Sequence, residues 1–199
     1  MNNSNKIINC LQNSGVVLFP TDTVYGLAAI PTNENAVKKI FELKERPINS
    51  FLPIMVSAIK DLELLGLDIN NNATVLLTSY LVPGAITLVL GFKTSPSLHW
   101  LKGRDEIAIR IPKNEFLLTI LRITGPLLVT SANKHNHSPT PSIVSEILKQ
   151  LNGTPDLIID DGVCKEVPST IINCRFTPVK IERSGSVSTE EIFKIINNE

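Results

Sequence analysis

The sequence predicts an α/β (α+β) fold, a single domain with one open, mixed sheet and helices packed on it. Two observations carry that expectation. Apolar runs of strand length alternate with helix-length runs of amphipathic spacing. The order is uneven: βα alternation comes first, and three strand-like runs follow one another near the end, which favours a mixed sheet over a doubly wound parallel one. Composition agrees with a packed core. The chain has 199 residues, 43% hydrophobic and 19% charged, which excludes a disordered chain and suits one domain. At that size about 70% of the unfolded surface can be buried, so the core needs no covalent staples.

Each element has a local cause. Residues 16–20 read as a buried strand after a short helix that ends at Gly15. Val37, Ile40, Phe41 and Lys44 follow helical spacing over 35–44. Residues 52–56 form a strand, and Ser57 is placed to cap a helix running to Leu65. A helix over 73–81 stops at Pro83-Gly84. Strands follow over 85–92 and 106–111, the second alternating Ile107, Ile109 and Ile111. A helix over 115–123 ends at Gly125-Pro126, ahead of a strand over 127–130. Thr140 before Pro141 is a helix start, with the stop at Gly153. Strands over 157–160, 169–174 and 179–182 precede a last helix, for which Ser188 and Glu191 make a capping box.

Several function classes drop out. Lys plus Arg and Asp plus Glu are 19 each, a net charge of +0, which argues against non-specific nucleic-acid binding. The longest apolar stretch, 80–92, is broken by Pro83 and Gly84 and is too short for a bilayer, so no membrane contact is expected. Residues 1–12 are Asn-rich without an apolar core, so no signal peptide is expected. Cys10, Cys164 and Cys174 are odd in number and never spaced CxxC, which argues against a disulfide framework and a zinc site and points to a reducing, cytoplasmic setting. The ten glycines form neither GxGxxG nor GxxxxGK[ST], and HExxH and GxSxG are absent.

Six stretches carry candidate chemistry. Pro20-Thr21-Asp22-Thr23-Val24-Tyr25-Gly26-Leu27 opens short polar groups at a strand end, either as a ligand site or as a turn bonding its own backbone. Lys44-Glu45-Arg46-Pro47 closes a helix, either complementing its dipole or clamping phosphate with a fork and a point charge. Arg110 takes the face opposite Ile107, Ile109 and Ile111, as a solvent-facing residue or a buried anion binder. Thr130-Ser131-Ala132-Asn133 again sets small polar groups at a strand's end. Pro168-Ser169-Thr170-Ile171 and Arg183-Ser184-Gly185 complete the set. His135 and His137 are spaced as a metal pair without a third ligand, so no metal site is expected.

Taken in order, these motifs resemble the YrdC-like family of threonylcarbamoyl-AMP synthases (TsaC type, single-domain form). The family's K-x-R and S-x-N tetrad appears as Lys44, Arg46, Ser131 and Asn133, and the P-T-x-T-V-Y-G-L, R-[IVM]-P, S-T-[IV] and R-x-G elements are all present. The resemblance runs from about Val16 to the last helix. It implies a twisted open sheet with a concave, positively charged cavity, and an enzyme that makes threonylcarbamoyl-AMP and pyrophosphate from L-threonine, bicarbonate and ATP. A separate transferase complex would then modify the adenosine beside the tRNA anticodon. Carried over residue by residue, the resemblance places threonine at Thr23, Arg110, Val129 (through its backbone) and Ser169. It places ATP at Lys44, Arg46, Glu106, Ser131, Asn133, Ser138 and Arg183, with Lys44 and Arg46 in catalysis on the phosphates. Mg²⁺ is expected to come with ATP, on few protein ligands.

The sequence departs from the family pattern at Ser50, at Met55 and along 131–140, where S-A-N-x-S-G becomes Ser131-Ala132-Asn133-Lys134-His135-Asn136. Longer members of the family carry a second C-terminal domain. Here one domain over 1–199, with a core of about 6–197, is expected and no second one. Two other readings compete: a non-catalytic RNA-binding module of the same fold, and a carbamoyl-adenylating domain of the hydrogenase-maturation type. Neutral net charge, two Tyr and one Trp leave little for RNA stacking, so at most a weak tRNA contact is expected.

Overall fold

The elements follow in the order α1 (Asn3–Gln12), β1 (Val17–Pro20), β2 (Tyr25–Ala29), α2 (Glu34–Leu43), β3 (Ile54–Met55), α3 (Lys60–Leu64), β4 (Leu67–Asp68), α4 (Asn71–Leu77), β5 (Ile86–Phe92), a single 3₁₀ turn (His99–Leu101), β6 (Glu106–Arg110), α5 (Glu115–Thr124), β7 (Leu127–Ser131), α6 (Val144–Gln150), β8 (Leu157–Ile158), β9 (Thr170–Asn173), β10 (Lys180–Arg183) and α7 (Thr189–Ile196). The structure is a computed structural model that describes residues 3–197 except 49, 97, 102, 138, 165 and 166.

One sheet takes every strand, in the order β10-β9-β5-β6-β3-β7-β2-β1-β8, with β4 paired to β5. The pairs β1–β8, β3–β6 and β5–β9 are parallel, and the others antiparallel. The sheet is therefore mixed, as the uneven order of strands and helices implies.

Local chemistry sets most element ends where the sequence places them. Asn33, Asn70, Asn114 and Ser188 each accept a backbone N–H three residues on and cap α2, α4, α5 and α7. Four expectations change. The helix expected over 73–81 runs instead from Asn71 to Leu77 and ends at Thr78, ahead of Pro83-Gly84. Ser57 does not cap α3; instead the Asp61 carboxylate accepts both the Ser57 hydroxyl and the amides of Ser57 and Ala58. The helix expected from Thr140 begins only at Val144, with no side-chain cap. Tyr25–Ala29 is a strand, buried along its whole length. It pairs back on β1 from Pro20↔Tyr25 to Val17↔Ala28, so residues 21–24 are a hairpin loop. Gly26 and two alanines hide this strand from propensity reasoning; burial decides it.

Register divides the sheet into two faces. Leu88 opposes Ile109, and Ile54 opposes both Ile109 and Leu128. This face lies under helices. α4 and α7 pack on each other and share one apolar cluster with Leu88, Ile109 and Ile172. α2 and α6 share a second cluster with Leu18, Tyr25, Leu27 and Leu128. On the reverse face α1 and α5 pack together by β1, around Val17 and Phe19. They stop short of the β9-β5-β6 end, where Thr87, Val89, Ala108, Arg110 and Ile171 line an open cavity.

This asymmetry is measurable. Leu88→Ala should cost about 2–5 kcal/mol, because the helices above cannot fully collapse into the gap. Val89→Ala borders open space and should cost less than about 2 kcal/mol, since its cavity side needs no refilling. Urea midpoints of the two variants check the order.

Candidate active site

The β1–β2 hairpin loop forms one wall of the cavity. Thr21 Oγ donates to Val24 O at 2.7 Å and accepts the Thr23 amide at 3.1 Å. The single Thr21 hydroxyl proton is thus engaged, so in the 3.1 Å contact between the two hydroxyls Thr23 is the donor. Thr23 Oγ also accepts from Arg110 Nη1 at 2.8 Å. It keeps one lone pair and no proton, and can only accept from a ligand. The loop is a self-bonding turn, yet Thr21 and Thr23 both border the cavity.

Arg110 is 4% exposed. Its Nε donates to Gly84 O at 2.9 Å, and Nη2 pairs with Asp22 Oδ2 at 2.8 Å. Burial pulls its pKa below the ordinary value, and Asp22 opposes the pull. Of five N–H donors three are engaged, which leaves one on each terminal nitrogen. That pair matches the two oxygens of a carboxylate. Asp22 Oδ2 also accepts the Lys113 amide at 3.1 Å, which fixes the carboxylate against β6.

Ser169 enters from the start of β9. Its Oγ lies 2.8 Å from Thr87 Oγ, both buried. Arg183 Nη2 donates to Ser169 O at 2.8 Å. Arg183, which the family resemblance gives to ATP, therefore sits beside a residue given to threonine. Gly185 permits this approach, for a Cβ there would lie 2.4 Å from Pro168 O.

The second wall is the end of α2. Glu45 takes a left-handed φ of 48°. The Arg46 amide reaches Phe41 O at 2.9 Å and the Glu45 amide reaches Glu42 O at 3.0 Å, the Schellman pattern usually closed by glycine. This twist sends Lys44 inward and Arg46 to the cavity. Lys44 is 1% exposed, and its ammonium donates to the carbonyls of Ser131 and Asn133 and to Asn133 Oδ1. Burial, then the charge of Arg46, brings its pKa down to about 7. The carbonyls around it oppose that pull. Ser131 Oγ donates to Asn133 Oδ1 at 2.6 Å, and Asn133 Nδ2 donates to His137 O. Lys44, Ser131 and Asn133 thus form one knot, of which Ser131 borders the cavity. Arg46 Nη2 donates to Phe51 O at 2.7 Å, while its buried Nε has no partner among the described residues.

Other expected residues are placed as follows. Val129 lines the cavity, with its amide engaged to Pro53 O at 3.1 Å. Glu106 lines it too, but its carboxylate pairs with Arg175. Met55 forms part of the wall. Ser138 lies outside the described residues. His135 sits near the knot, its amide on Lys44 O at 2.9 Å; burial and the charges of Arg46 and Lys44 push its imidazole pKa down. Among the described residues no three His, Cys, Asp or Glu side chains gather as a metal site.

Sequence reasoning named the Thr21–Thr23 hydroxyls but missed Thr87 and the pairing of Asp22 with Arg110. Thr87 had one signal, a lone hydroxyl inside the apolar strand Ile86–Phe92. The Asp22 pairing had none, because its partner lies 88 residues away.

The cavity is concave, open at its mouth and lined by apolar side chains with a few convergent polar groups, the make-up of a small-molecule site. A family model for Sua5, YciO and YrdC proteins, described as telomere recombination, matches residues 9–185. The chain belongs to the Sua5/YciO/YrdC family. Among its Sua5/YciO/YrdC relatives, the threonylcarbamoyl-AMP synthase of Pyrococcus abyssi is 36% identical over 183 residues, covering 91% of this chain and 53% of the relative. The Bacillus subtilis synthase is 34% identical, covering 94% and 54%. This chain spans about half the length of those two relatives. The crystal structure of P. abyssi Sua5 complexed with L-threonine superposes with a TM-score of 0.86 at 33% identity, covering 97% of this chain and 57% of that one. The mixed sheet, with helices on both faces, is thus that of Sua5/YciO/YrdC proteins.

Lys44 predicts a pH effect. Its folded pKa of about 7 lies below its ordinary 10.5. Between those values the unfolded chain carries a proton that the folded chain lacks, so the Lys44 contribution to stability rises as pH rises through the window. Thermal melts at pH 7 and 9 should show Lys44→Met shifting less favourably with pH than the parent protein. Parallel pH profiles would show that the ammonium keeps its ordinary pKa.

Proposed function

We propose that the protein makes threonylcarbamoyl-AMP and pyrophosphate from L-threonine, bicarbonate and ATP, for modification of tRNA beside the anticodon. The observation that carries this is the pairing of two anion-binding groups on one cavity: the half-free Arg110 fork beside the acceptor Thr23, and Arg46 with an unmet N–H. The names of the relatives and the threonine in P. abyssi Sua5 support it. So does the lining, where Arg46, Arg110 and Arg183 face Glu106 and Glu182. Those arginines also support the expectation of a positive cavity.

In this reading Arg110 holds the threonine carboxylate, and Thr23 accepts from a donor on the amino acid. Ser169 and Thr87 complete the polar wall. The threonine amine attacks bicarbonate carbon and water leaves, giving a carbamate. A carbamate oxygen then attacks the α-phosphorus of ATP, and the bond to the β-phosphate breaks to release pyrophosphate. No protein nucleophile is needed; the protein's work is to place two anions together and offset their charge. Arg46 meets the phosphates directly. Lys44, with its N–H groups on the Ser131–Asn133 turn, positions that turn.

ATP is expected to bring Mg²⁺ on its phosphates. Of the carboxylates lining the cavity, Glu106 is tied to Arg175 and Glu182 accepts from Asn173, so among the described residues no carboxylate of the lining stands ready to hold the metal. The adenylate is an activated anhydride, and a downstream tRNA threonylcarbamoyl-transferase complex is its proposed consumer. No helix among the described residues is long and apolar enough to cross a membrane.

Incubation with threonine, bicarbonate and ATP should release pyrophosphate, and omitting any one substrate should stop it. A pure RNA-binding module would release none. Arg110→Lys should raise the threonine KM about tenfold or more with little change for ATP, because an ammonium lacks the fork. Equal damage to both substrates would move Arg110 to the nucleotide.

Substrate choice tests the hydroxyl contact. Serine lacks one methyl and should lose about 10–200-fold, whereas valine leaves the polar wall unpaired and should be rejected more strongly. Valine turning over as well as serine would show that the threonine hydroxyl is not read.

A further inference from the structure

Arg104 has no part in the site described so far. It lies just before β6, its amide bonded to Leu101 O at 2.9 Å in the 3₁₀ turn. Its guanidinium lies 5.0 Å from the Phe51 ring centre and 6.0 Å from that of Trp100. Nη2 donates to Ile48 O at 3.1 Å. Trp100 is itself fixed, its Nε1 bonded to Pro31 O at 2.9 Å. An aromatic pair and a carbonyl thus hold the guanidinium plane in place.

Phe51 joins Arg104 to the cavity. Its ring carries Arg104, its carbonyl accepts from Arg46, and it lines the cavity wall. Two guanidinium groups therefore flank one residue. The repulsion is felt: burial and then the charge of Arg104 hold Arg46 below its ordinary pKa. Acids close in sequence do not relieve it. Asp105 and Glu106 pair with Arg175, and Glu45 pairs with Lys134. Among the described residues neither arginine has a carboxylate partner, and each keeps a fully buried N–H that meets nothing, Nε on Arg46 and Nη1 on Arg104. Arg46 lines the cavity, while Arg104 stands behind Phe51, outside the cavity lining. A buried, unmet donor on a cation is costly, so each arginine would gain from an oxygen that a ligand brought to it.

We propose that Arg104 is the second arm, with Arg46, of a clamp on the polyphosphate of the nucleotide, holding the two phosphates that leave as pyrophosphate. The proposal rests on the synthase reading above. It separates the phosphate-binding work in two. Lys44 shapes the turn under the phosphates, and two arginines with fixed planes grip the end that departs. Adjacent phosphate oxygens suit paired forks better than a single one.

The test is calorimetric titration of inorganic pyrophosphate and, separately, AMP into the full chain and its variants. Arg104→Gln removes the charge and shortens the side chain, giving up the bond to Ile48 O as well; it should weaken pyrophosphate binding about tenfold or more and AMP binding less than about twofold. Arg104→Lys keeps the charge without the fork and should lose severalfold for pyrophosphate, and it decides the matter if the glutamine variant melts early. In pyrophosphate release, both variants should raise the ATP KM and leave the threonine KM unchanged. Unchanged pyrophosphate affinity would overturn the clamp, as would equal losses for pyrophosphate and AMP, which would make Arg104 a brace for Phe51. Pyrophosphate binding that depends on Arg104, without pyrophosphate release from the three substrates, would overturn the synthase reading and leave the clamp standing.

Discussion

A lysine ammonium with 1% of its surface exposed and no carboxylate partner among the described residues holds the site together. Burying a charge is expensive unless it is hydrogen-bonded, and Lys44 meets the carbonyls of Ser131 and Asn133. Those carbonyls belong to the end of β7 and the turn after it, whereas Lys44 caps α2. One cation therefore fastens a helix end to a strand end. The Schellman turn that aims Lys44 inward needs a left-handed residue, and the chain places Glu45 there, at a steric cost of about 1–2 kcal/mol relative to glycine. Strain of this kind is tolerated where the surroundings hold it, and here it lies between Lys44 and Arg46.

The cavity exists because the sheet is covered unevenly. Helices cover one face along its length. On the other, α1 and α5 cover the β1 side and leave the β9-β5-β6 end open. Strand alternation then does the rest. Every second residue of β5 and β6 must face either apolar helices or the cavity, so Leu88 and Ile109 go one way and Thr87, Ala108 and Arg110 the other. A polar side chain in an apolar strand is affordable only on such an open face.

Charge is arranged unevenly as well. Arg110 is neutralised in part by Asp22, which leaves it a directional fork more than a bare cation. Among the described residues Arg46 and Arg104 have no carboxylate partner, and burial, then the charge of Arg104, lowers the Arg46 pKa. An amino-acid carboxylate carries one charge and a triphosphate several, so a half-neutralised fork and an unrelieved pair suit the two proposed ligands in turn.

Much of this was written locally. Apolar spacing, caps such as Ser188 and stops such as Gly125-Pro126 depend on neighbours within a few residues, so the helices and most strands were legible from sequence, as was the mixed sheet. The residues of the candidate site were legible as motifs, because short polar groups at strand ends break an apolar pattern. What the chain could not disclose alone is relational. Tyr25–Ala29 becomes a strand only because β1 and β7 flank it and bury it. Arg183 joins Ser169 rather than the Lys44 knot because β10 pairs with β9. Asp22 meets Arg110, and Arg104 meets Arg46 through Phe51, across separations that no periodicity encodes. Spacing along the chain fixes which side chains share an element and a face; which faces meet, and which charges must then live side by side, is decided only when burial of the apolar surface brings those elements together.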